Sequence, residues 1–402
     1  MTRDKQAINE RQILVRPRLL EIALSLVLPG LGHLARGFWE KALLFFGALS
    51  VLGATLCIAV LKHRLAWLAG PSDYWFSTMM IFLLLAIVWA VALLDLYKTT
   101  RKASEKERYV VGYWDMATRR FSRDAKGIIG LLIIALILHV ALFAPFFASG
   151  HGVKDVEGYV KPRIHAIKMD LYNFQAAPSG DHPLGTDNFG RDVLDRLIFG
   201  TRVALGIGFV ATMLNMFLGG FLGLIGGYFR GPTDAVLMRI LEVINSIPFL
   251  VLALLIRGLW QGGGIVSLML ILGIFGLQPA RIIRSEVLSV REQDYVLAAR
   301  AIGAPTWRII LRYVLPNALA SLIVVTTMSI GVNIIVVAGL SFLGFGVPPP
   351  TPSWGAMLQE AQEYMRTAWW MAVYPGLTIM ITVFGFNILG DSLRDVLDPR
   401  LK

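Results

Sequence analysis

Few residues of this chain could do chemistry, and their spacing argues against catalysis. No set of side chains pairs a nucleophile with a base, and no Gly-x-x-x-x-Gly-Lys-Ser/Thr segment is present to cradle a nucleotide phosphate. ATP is therefore not bound by that route, and any energy the chain uses must come from a partner. His182, with Asp181 and Asp187 nearby, offers donors for a metal ion. A structural role fits these residues better, and no metal site is expected. Asp187 or Thr186 can cap a helix start. Arg191 with Asp195, and Asp192 with Arg196, are i,i+4 pairs on an amphipathic helix whose apolar face (Val193, Leu194, Leu197, Ile198) would lie on a membrane surface. His139, inside an apolar run, reads as a packed, hydrogen-bonded residue. The single cysteine, Cys57, excludes a disulfide within the chain and any CxxC site.

A second group consists of polar residues within apolar runs: Asn215, Glu242, Asn245, Ser246, Asn333 and Asn387. Such groups are costly in lipid, which makes them candidates for a translocation pathway. Structural glue between helices is the competing role, and both stay open. Glu242 is nearest to a buried charge, but Arg239 lies three residues away and can pair with it. Asn245-Ser246 before Pro248 marks a kink that can expose backbone to a water-filled path.

The elements that must position these residues are membrane helices. The chain has 402 residues, 56% of them hydrophobic and 16% charged, against roughly 25% charged in an ordinary soluble domain. A hydrocarbon core about 30 Å thick needs about 20 apolar helical residues. Charge-free runs of that length recur here, far longer than the ~10-residue alternating strands of a membrane barrel. In residues 1–118 they are Ala42–Leu61 and Tyr74–Leu94, preceded by a shorter run, Leu19–Leu28, that ends in Pro29-Gly30-Leu31-Gly32. The short run, with the turn that ends it at Gly32, is expected to be an interfacial or re-entrant helix. In residues 119–402 the runs are Gly127–Phe147, Val203–Phe229, Ala235–Leu255, Ile265–Ile283, Ala318–Phe342 and Trp370–Leu389, with a polar segment over about 150–200. The expectation is an all-α integral membrane protein: a six-helix transmembrane domain plus an N-terminal extension with a helical hairpin. The first hydrophobic stretch lacks a cleavage site and does not read as a signal peptide.

Charge sets the topology. Residues 98–126 carry nine Lys or Arg, the loop 281–312 carries six arginines, and the loop 343–369 carries only Arg366. By the positive-inside rule the first two face the cytoplasm and the third faces outward, with both termini cytoplasmic. The net charge of +11 is explained by these clusters, and no nucleic-acid binding is expected. Gly219, Gly223 and Gly227 share one helix row, as tight packing between membrane helices requires.

The most informative segment is 286–317, EVLSVREQDYVLAARAIGAPTWRIILRYVLPN. Val287–Ile302 has a helical pattern, Gly303 sits where a left-handed cap is needed, and Pro305 can open a second helix over Thr306–Val314. Leu315-Pro316 should end that helix before the fifth run. Small residues at the tip, Ala298, Ala299 and Gly303, would let this elbow dock closely into a groove of another protein, with Arg291, Arg300 and Arg308 around it.

These residues resemble the coupling signature of importer permeases of the ATP-binding-cassette transporters: Glu-Ala-Ala, three residues, Gly, nine residues, Ile, any residue, Leu-Pro. Ala298-Ala299, Gly303 and Leu315-Pro316 hold the pattern's spacing, while Leu297 and Tyr313 replace its glutamate and isoleucine. Three further segments resemble the dipeptide/oligopeptide/nickel permease family, most closely its C-type subunit. They are HPLGTDNFGRD at 182–192, SFLGFGVP at 341–348 with PSWG at 352–355, and GDSLRDVLDPR at 390–400. Residues 1–118 are additional to that family, and Val337 stands where many relatives carry glutamate.

The resemblance implies a type I importer transmembrane domain in the bacterial inner membrane. It implies no cofactor in this chain, with magnesium-ATP held by partners. Those partners would be a homologous permease subunit, two ATP-binding subunits and an external solute-binding protein. Ala298, Ala299, Arg300, Gly303, Leu315 and Pro316 would form the contact to the ATPase. Peptides are the expected solutes, with nickel or another non-peptide solute as the alternative. An ion-coupled secondary transporter is the rival class, and usually needs several intramembrane carboxylates.

Overall fold

The computed structural model describes residues 39–63, 72–104, 120–148, 169–260 and 263–397, and singly Ser25, Leu28, Ala117, Ala166 and Ile167. The expected interfacial helix near 19–32, most of the basic stretch 105–119 and residues 149–165 of the polar segment lie outside the described residues. Among the described residues every regular element is helical.

Two compact units divide the chain near residue 113. The first contains α1 (Trp39–His63) and α2 (Ser72–Ser104), which lie against each other. Their apolar stretches are Leu44–Ile58 and Met79–Asp95.

The second unit contains α3 (Ala125–Leu142), α4 (Val193–Phe229), α5 (Gly231–Ser246), α6 (Phe249–Leu259), α7 (Gly264–Phe275), α8 (Gln278–Arg291), α9 (Asp294–Ala301), α10 (Thr306–Ile309), α11 (Leu315–Phe342), α12 (Trp354–Ala361) and α13 (Trp370–Leu397). Local chemistry sets many of these boundaries. Asp124 caps α3 by accepting from the Lys126 and Gly127 N–H groups. Arg230 and Gly231, with φ of 55° and 60°, reverse the chain between α4 and α5. Proline stands in the first turn of α5 and α8, where its missing N–H costs nothing.

α4 is the central rod and touches α3, α5, α7, α8, α11, α12 and α13. Among the described residues five helices are long and apolar enough to cross a membrane: Ala125–Leu142, Val193–Phe229, Gly264–Arg291, Thr306–Phe342 and Trp370–Leu397. The sixth expected run is broken. α5 and α6 meet at 80°, at Ile247-Pro248, the kink expected from Asn245-Ser246-Pro248.

Three details differ from the sequence-based expectation. The amphipathic stretch 191–198 is not a separate surface helix. From Val193 it is the start of α4, and Val193, Leu197 and Ile198 are buried; the first two pack with Trp354 and Trp370. Asp192, rather than Asp187 or Thr186, caps α4, accepting from the Asp195 N–H at 3.1 Å. Leu315-Pro316 does not end a helix. Pro316 has no N–H and its ring crowds the preceding turn, so the ladder widens over Ile310–Val314 into a π-turn, where the Leu315 N–H bonds to the Ile310 carbonyl. α10, the π-turn and α11 thus form one continuous rod.

Candidate functional site

The elbow is built by α9, the Ile302–Pro305 turn and α10. α9 closes with a pair of bonds that require a left-handed residue: Ala304 N–H to the Ala299 carbonyl at 3.1 Å and Gly303 N–H to the Arg300 carbonyl at 3.0 Å. Gly303 has φ of +77°, and a Cβ placed there would meet nothing within 4 Å. Backbone conformation, not crowding inside this chain, demands glycine here.

The elbow has two faces. Val296, Ala299, Ile309 and Val314 are buried with Tyr228, Ile283, Val287 and Val290 of α4 and α8. The other face presents Leu297, Ala298, Arg300, Ile302, Trp307 and Leu311 to the outside, with Ile302 at 83% and Trp307 at 62% exposure. The two alanines therefore have different work. Ala298 is on the open face, whereas Ala299 belongs to the elbow's own core, not to a docking tip. Leu315 is half-buried and Pro316 exposed at the start of α11. The arginines also divide. Arg291 donates to the Tyr228 carbonyl and lies over the Tyr228 ring, while Arg300 is exposed and Arg308 lies over Trp307. Desolvation, then the nearby Glu286 carboxylate, push the Tyr295 phenol above its usual range, so it stays a neutral hydroxyl.

Behind the elbow, α8 is held to α4 by the glycine row. A Cβ at Gly219 would come 3.2 Å from the Ala280 nitrogen, one at Gly223 3.0 Å from the Arg284 nitrogen, and one at Gly227 2.8 Å from the Arg284 oxygen. The two backbones touch along three successive turns. α8 is also tied to α5, because Arg284 forms a two-point ion pair with Asp234.

The candidate pathway residues do not converge. Asn333 is buried and donates to Thr212 Oγ1 at 2.8 Å, joining α11 to α4. Asn215 is buried one turn along α4, and its Oδ1 has no hydrogen-bond partner. Glu242 is exposed and pairs with Arg239 at 3.2 Å, as the spacing allows. Asn245 donates to the Leu241 carbonyl and Ser246 to the Val243 carbonyl, both within α5. Asn387 is on an exposed face of α13. Val337 is buried in an apolar cluster with Ile207, Ala253 and Leu340.

The far end of the bundle holds a charge network with partners that sequence spacing does not reveal. Arg191 and Arg196 each bond to both Asp187 and Glu360, the latter on α12. The expected i,i+4 pairs are replaced: Arg191 pairs with Asp187 rather than Asp195, and Asp192 with His182 at 2.9 Å rather than Arg196. Asp192 is turned aside because it caps the helix. Trp354 and Trp370 indole N–H groups, donating to the Leu197 and Thr186 carbonyls, fix the same region. Glu360 carried no sequence signal, since its partners are more than 160 residues away.

The family described as "Binding-protein-dependent transport system inner membrane component" matches residues 219–402, and the "N-terminal TM domain of oligopeptide transport permease C" matches residues 112–159. The chain is 37% identical to a glutathione transport system permease protein of Pectobacterium atrosepticum over 290 residues, 72% of this chain and 92% of that protein. It is 35% identical to a dipeptide transport system permease protein of Alkalihalophilus pseudofirmus over 302 residues, 74% and 93% of the two chains. It is 36% identical to an oligopeptide transport system permease protein of Bacillus subtilis over 290 residues, 72% and 90%.

Proposed function

The chain belongs to the family of binding-protein-dependent transport system inner membrane components, and on that premise we propose how it works. It is a permease subunit of an ATP-binding-cassette importer for peptides or similar small solutes. Its complex contains a related permease, two ATP-binding subunits that hydrolyse magnesium-ATP, and an external solute-binding protein. It sits in the bacterial inner membrane with both termini in the cytoplasm.

The elbow carries this reading. A rigid turn that exposes Ile302, Trp307 and Leu311 beside Arg300 is an apolar knob with a basic rim, suited to a groove on an ATP-binding subunit. Its inner face is continuous with α8 and with the α10–α11 rod. A push on the elbow would move α4 through the glycine row and α11 through the π-turn. The seam would carry it as rigid-body motion, because backbones in contact leave no side chains to absorb it. Solute delivered at the opposite end, near α12, would then meet helices that open alternately to each side.

The test is a cross-link. Cys57 is the sole cysteine, so Ile302→Cys in a Cys57→Ser background gives one reactive site in the elbow. The expected product joins this chain to a nucleotide-hydrolysing subunit, with a yield that changes when ATP is added. Absence of any such product from an assembled complex would sink the reading. Solute breadth is read separately, by uptake of dipeptides, longer peptides and glutathione.

A further inference from the structure

At the end of the bundle away from the elbow, two short stretches carry apolar side chains that the fold leaves uncovered. Met169, Leu171, Tyr172 and Phe174 belong to the first, Met365 and Trp369 to the second. All six are at least half exposed; Leu171 is 72% exposed and Tyr172 wholly so. Single exposed apolar residues are ordinary, but a group of them marks a surface with a partner. The first stretch is held in place. The Asp170 N–H donates to the Phe189 carbonyl at 2.9 Å and the Gln175 N–H to the Asp187 carbonyl at 3.1 Å. The Phe174 ring meets the Tyr364 ring edge-on, which joins the two stretches.

Hydrogen bonds fix the depth of this surface. Thr186 Oγ1 donates to the Asn173 carbonyl, and the Ala176 N–H donates to Thr186 Oγ1. The Thr186 carbonyl accepts from the Trp370 indole at 3.0 Å, and Trp370 is the first residue of α13. The first stretch is thus two bonds from the start of a helix long and apolar enough to cross a membrane. From Trp370 onward α13 carries no charge until Asp391. At about 1.5 Å per residue that run matches a hydrocarbon core about 30 Å thick, so the core's edge falls near Trp370. Tyrosine and tryptophan favour that level, where the ring is in apolar surroundings and its polar edge is wet. Trp369 also heads a stripe of exposed apolar residues along α13: Val373, Leu377, Met380 and Phe384, at helical spacing.

We infer that residues 169–174, with Met365 and Trp369, form an anchor that lies in the headgroup layer of the bilayer at this end of the bundle. The partner is a lipid surface. The charges flanking the two stretches in sequence are Lys168, Asp170, Glu363 and Arg366, two of each sign. That balance suits zwitterionic headgroups and offers little field to draw a charged protein. Asp170 is turned to its own chain, accepting from the Tyr172 N–H and the Asn173 side-chain amide. Arg366 is exposed, and its long stem can lie on apolar surface while the guanidinium reaches a lipid phosphate. A protein that docks from the aqueous side meets the molecule above this level. The inference needs only that α13 crosses the membrane; the proposed topology adds that the leaflet is the outer one. Such an anchor would hold the charge network at a set height, because the first stretch is bonded to Asp187 through Gln175.

The experiment uses the whole complex, with cysteine-free partner subunits, in phosphatidylcholine nanodiscs. Tyr172→Cys in a Cys57→Ser background carries a bimane label. Tyr172 is wholly exposed, so its replacement removes no packing within the chain. The quenchers are lipid spin-labelled at the headgroup, lipid spin-labelled near the end of the acyl chain, and iodide in the water. Emission is expected to be lost to the headgroup label, and lost less to the chain-end label. Loss to iodide with none to either lipid would put the residue in water and overturn the inference. Loss to none of the three would mean that another subunit covers it, which also overturns the inference, as does a greater loss to the chain-end label. Adding Met169→Asp and Leu171→Asp should abolish the loss to the headgroup label and leave the loss to iodide. If the headgroup label still quenches, the fold alone sets the depth and the anchor is overturned. No readout depends on ATP or on solute, so failure here leaves the proposed function standing.

Discussion

Arg284 and Asp234 face each other through two parallel bonds, Nε to Oδ1 and Nη2 to Oδ2, both 2.5 Å long. The pair crosses from α8 to α5 just behind the elbow and is partly shielded, at 32% and 14% exposure. Its worth lies between the surface and buried limits for ion pairs. Asp234→Ala should cost about 1–3 kcal/mol, read as a lower midpoint in thermal unfolding of the complex. The reversed pair, Asp234→Arg with Arg284→Asp, should recover most of that loss. A reversed pair no better than the single variants would deny that these two charges recognise each other.

The glycine row makes a sharper prediction. Gly223→Ala forces a methyl group against the α8 backbone, 3.0 Å from the Arg284 nitrogen. Backbone cannot step aside as a side chain can, so the variant should lose about 1–3 kcal/mol and disturb uptake. Gly206→Ala on the same helix meets nothing within 4 Å. It should be neutral or gain up to about 1 kcal/mol, since alanine favours helix over glycine. Equal midpoints for the two variants would show that the seam is not close-packed.

Gly303 tests conformation against space. Any β-carbon fits there, but the left-handed backbone penalises alanine by about 1–2 kcal/mol and asparagine less. Stimulated ATP hydrolysis should therefore fall in the order Gly303, Gly303→Asn, Gly303→Ala. Gly303→Trp should fall furthest, because it adds bulk on the face offered to a partner. A tryptophan variant with full uptake would count against docking there.

Asn215 and Asn333 separate pathway from glue. Asn333→Leu removes one buried bond, yet Thr212 keeps its own bond to the Gly208 carbonyl. That variant should change stability by about 1 kcal/mol and leave uptake near normal. Asn215 holds an unpartnered Oδ1. Asn215→Leu should stabilise the fold by up to about 1 kcal/mol, because a buried idle carbonyl is removed. If uptake drops in a variant that is more stable, Asn215 serves the solute. Unchanged uptake would assign it to the structure alone.

Much of the elbow was legible in the residues. Gly303, Pro305 and the helical pattern before them act within one or two turns of chain, and the cap forms where they place it. The role of Ala299 was not legible. Whether a small residue faces a partner or its own core depends on how α9 leans on α8 and the π-turn, which spacing does not encode. The i,i+4 pairs expected at 191–196 failed for a related reason. A helix cap took Asp192 and a distant carboxylate, Glu360, took both arginines.

Sequence by itself determined the class of molecule, the apolar runs, the kink before Pro248 and the position of the elbow. Each of these is set by hydrophobic length or by glycine and proline acting on their own neighbours. Only the tertiary structure decided that Arg196 meets Glu360 and that Arg284 meets Asp234. Such pairings follow from which helix faces dock together. In a bundle whose faces are nearly all apolar, no periodic signal in the chain names the partner.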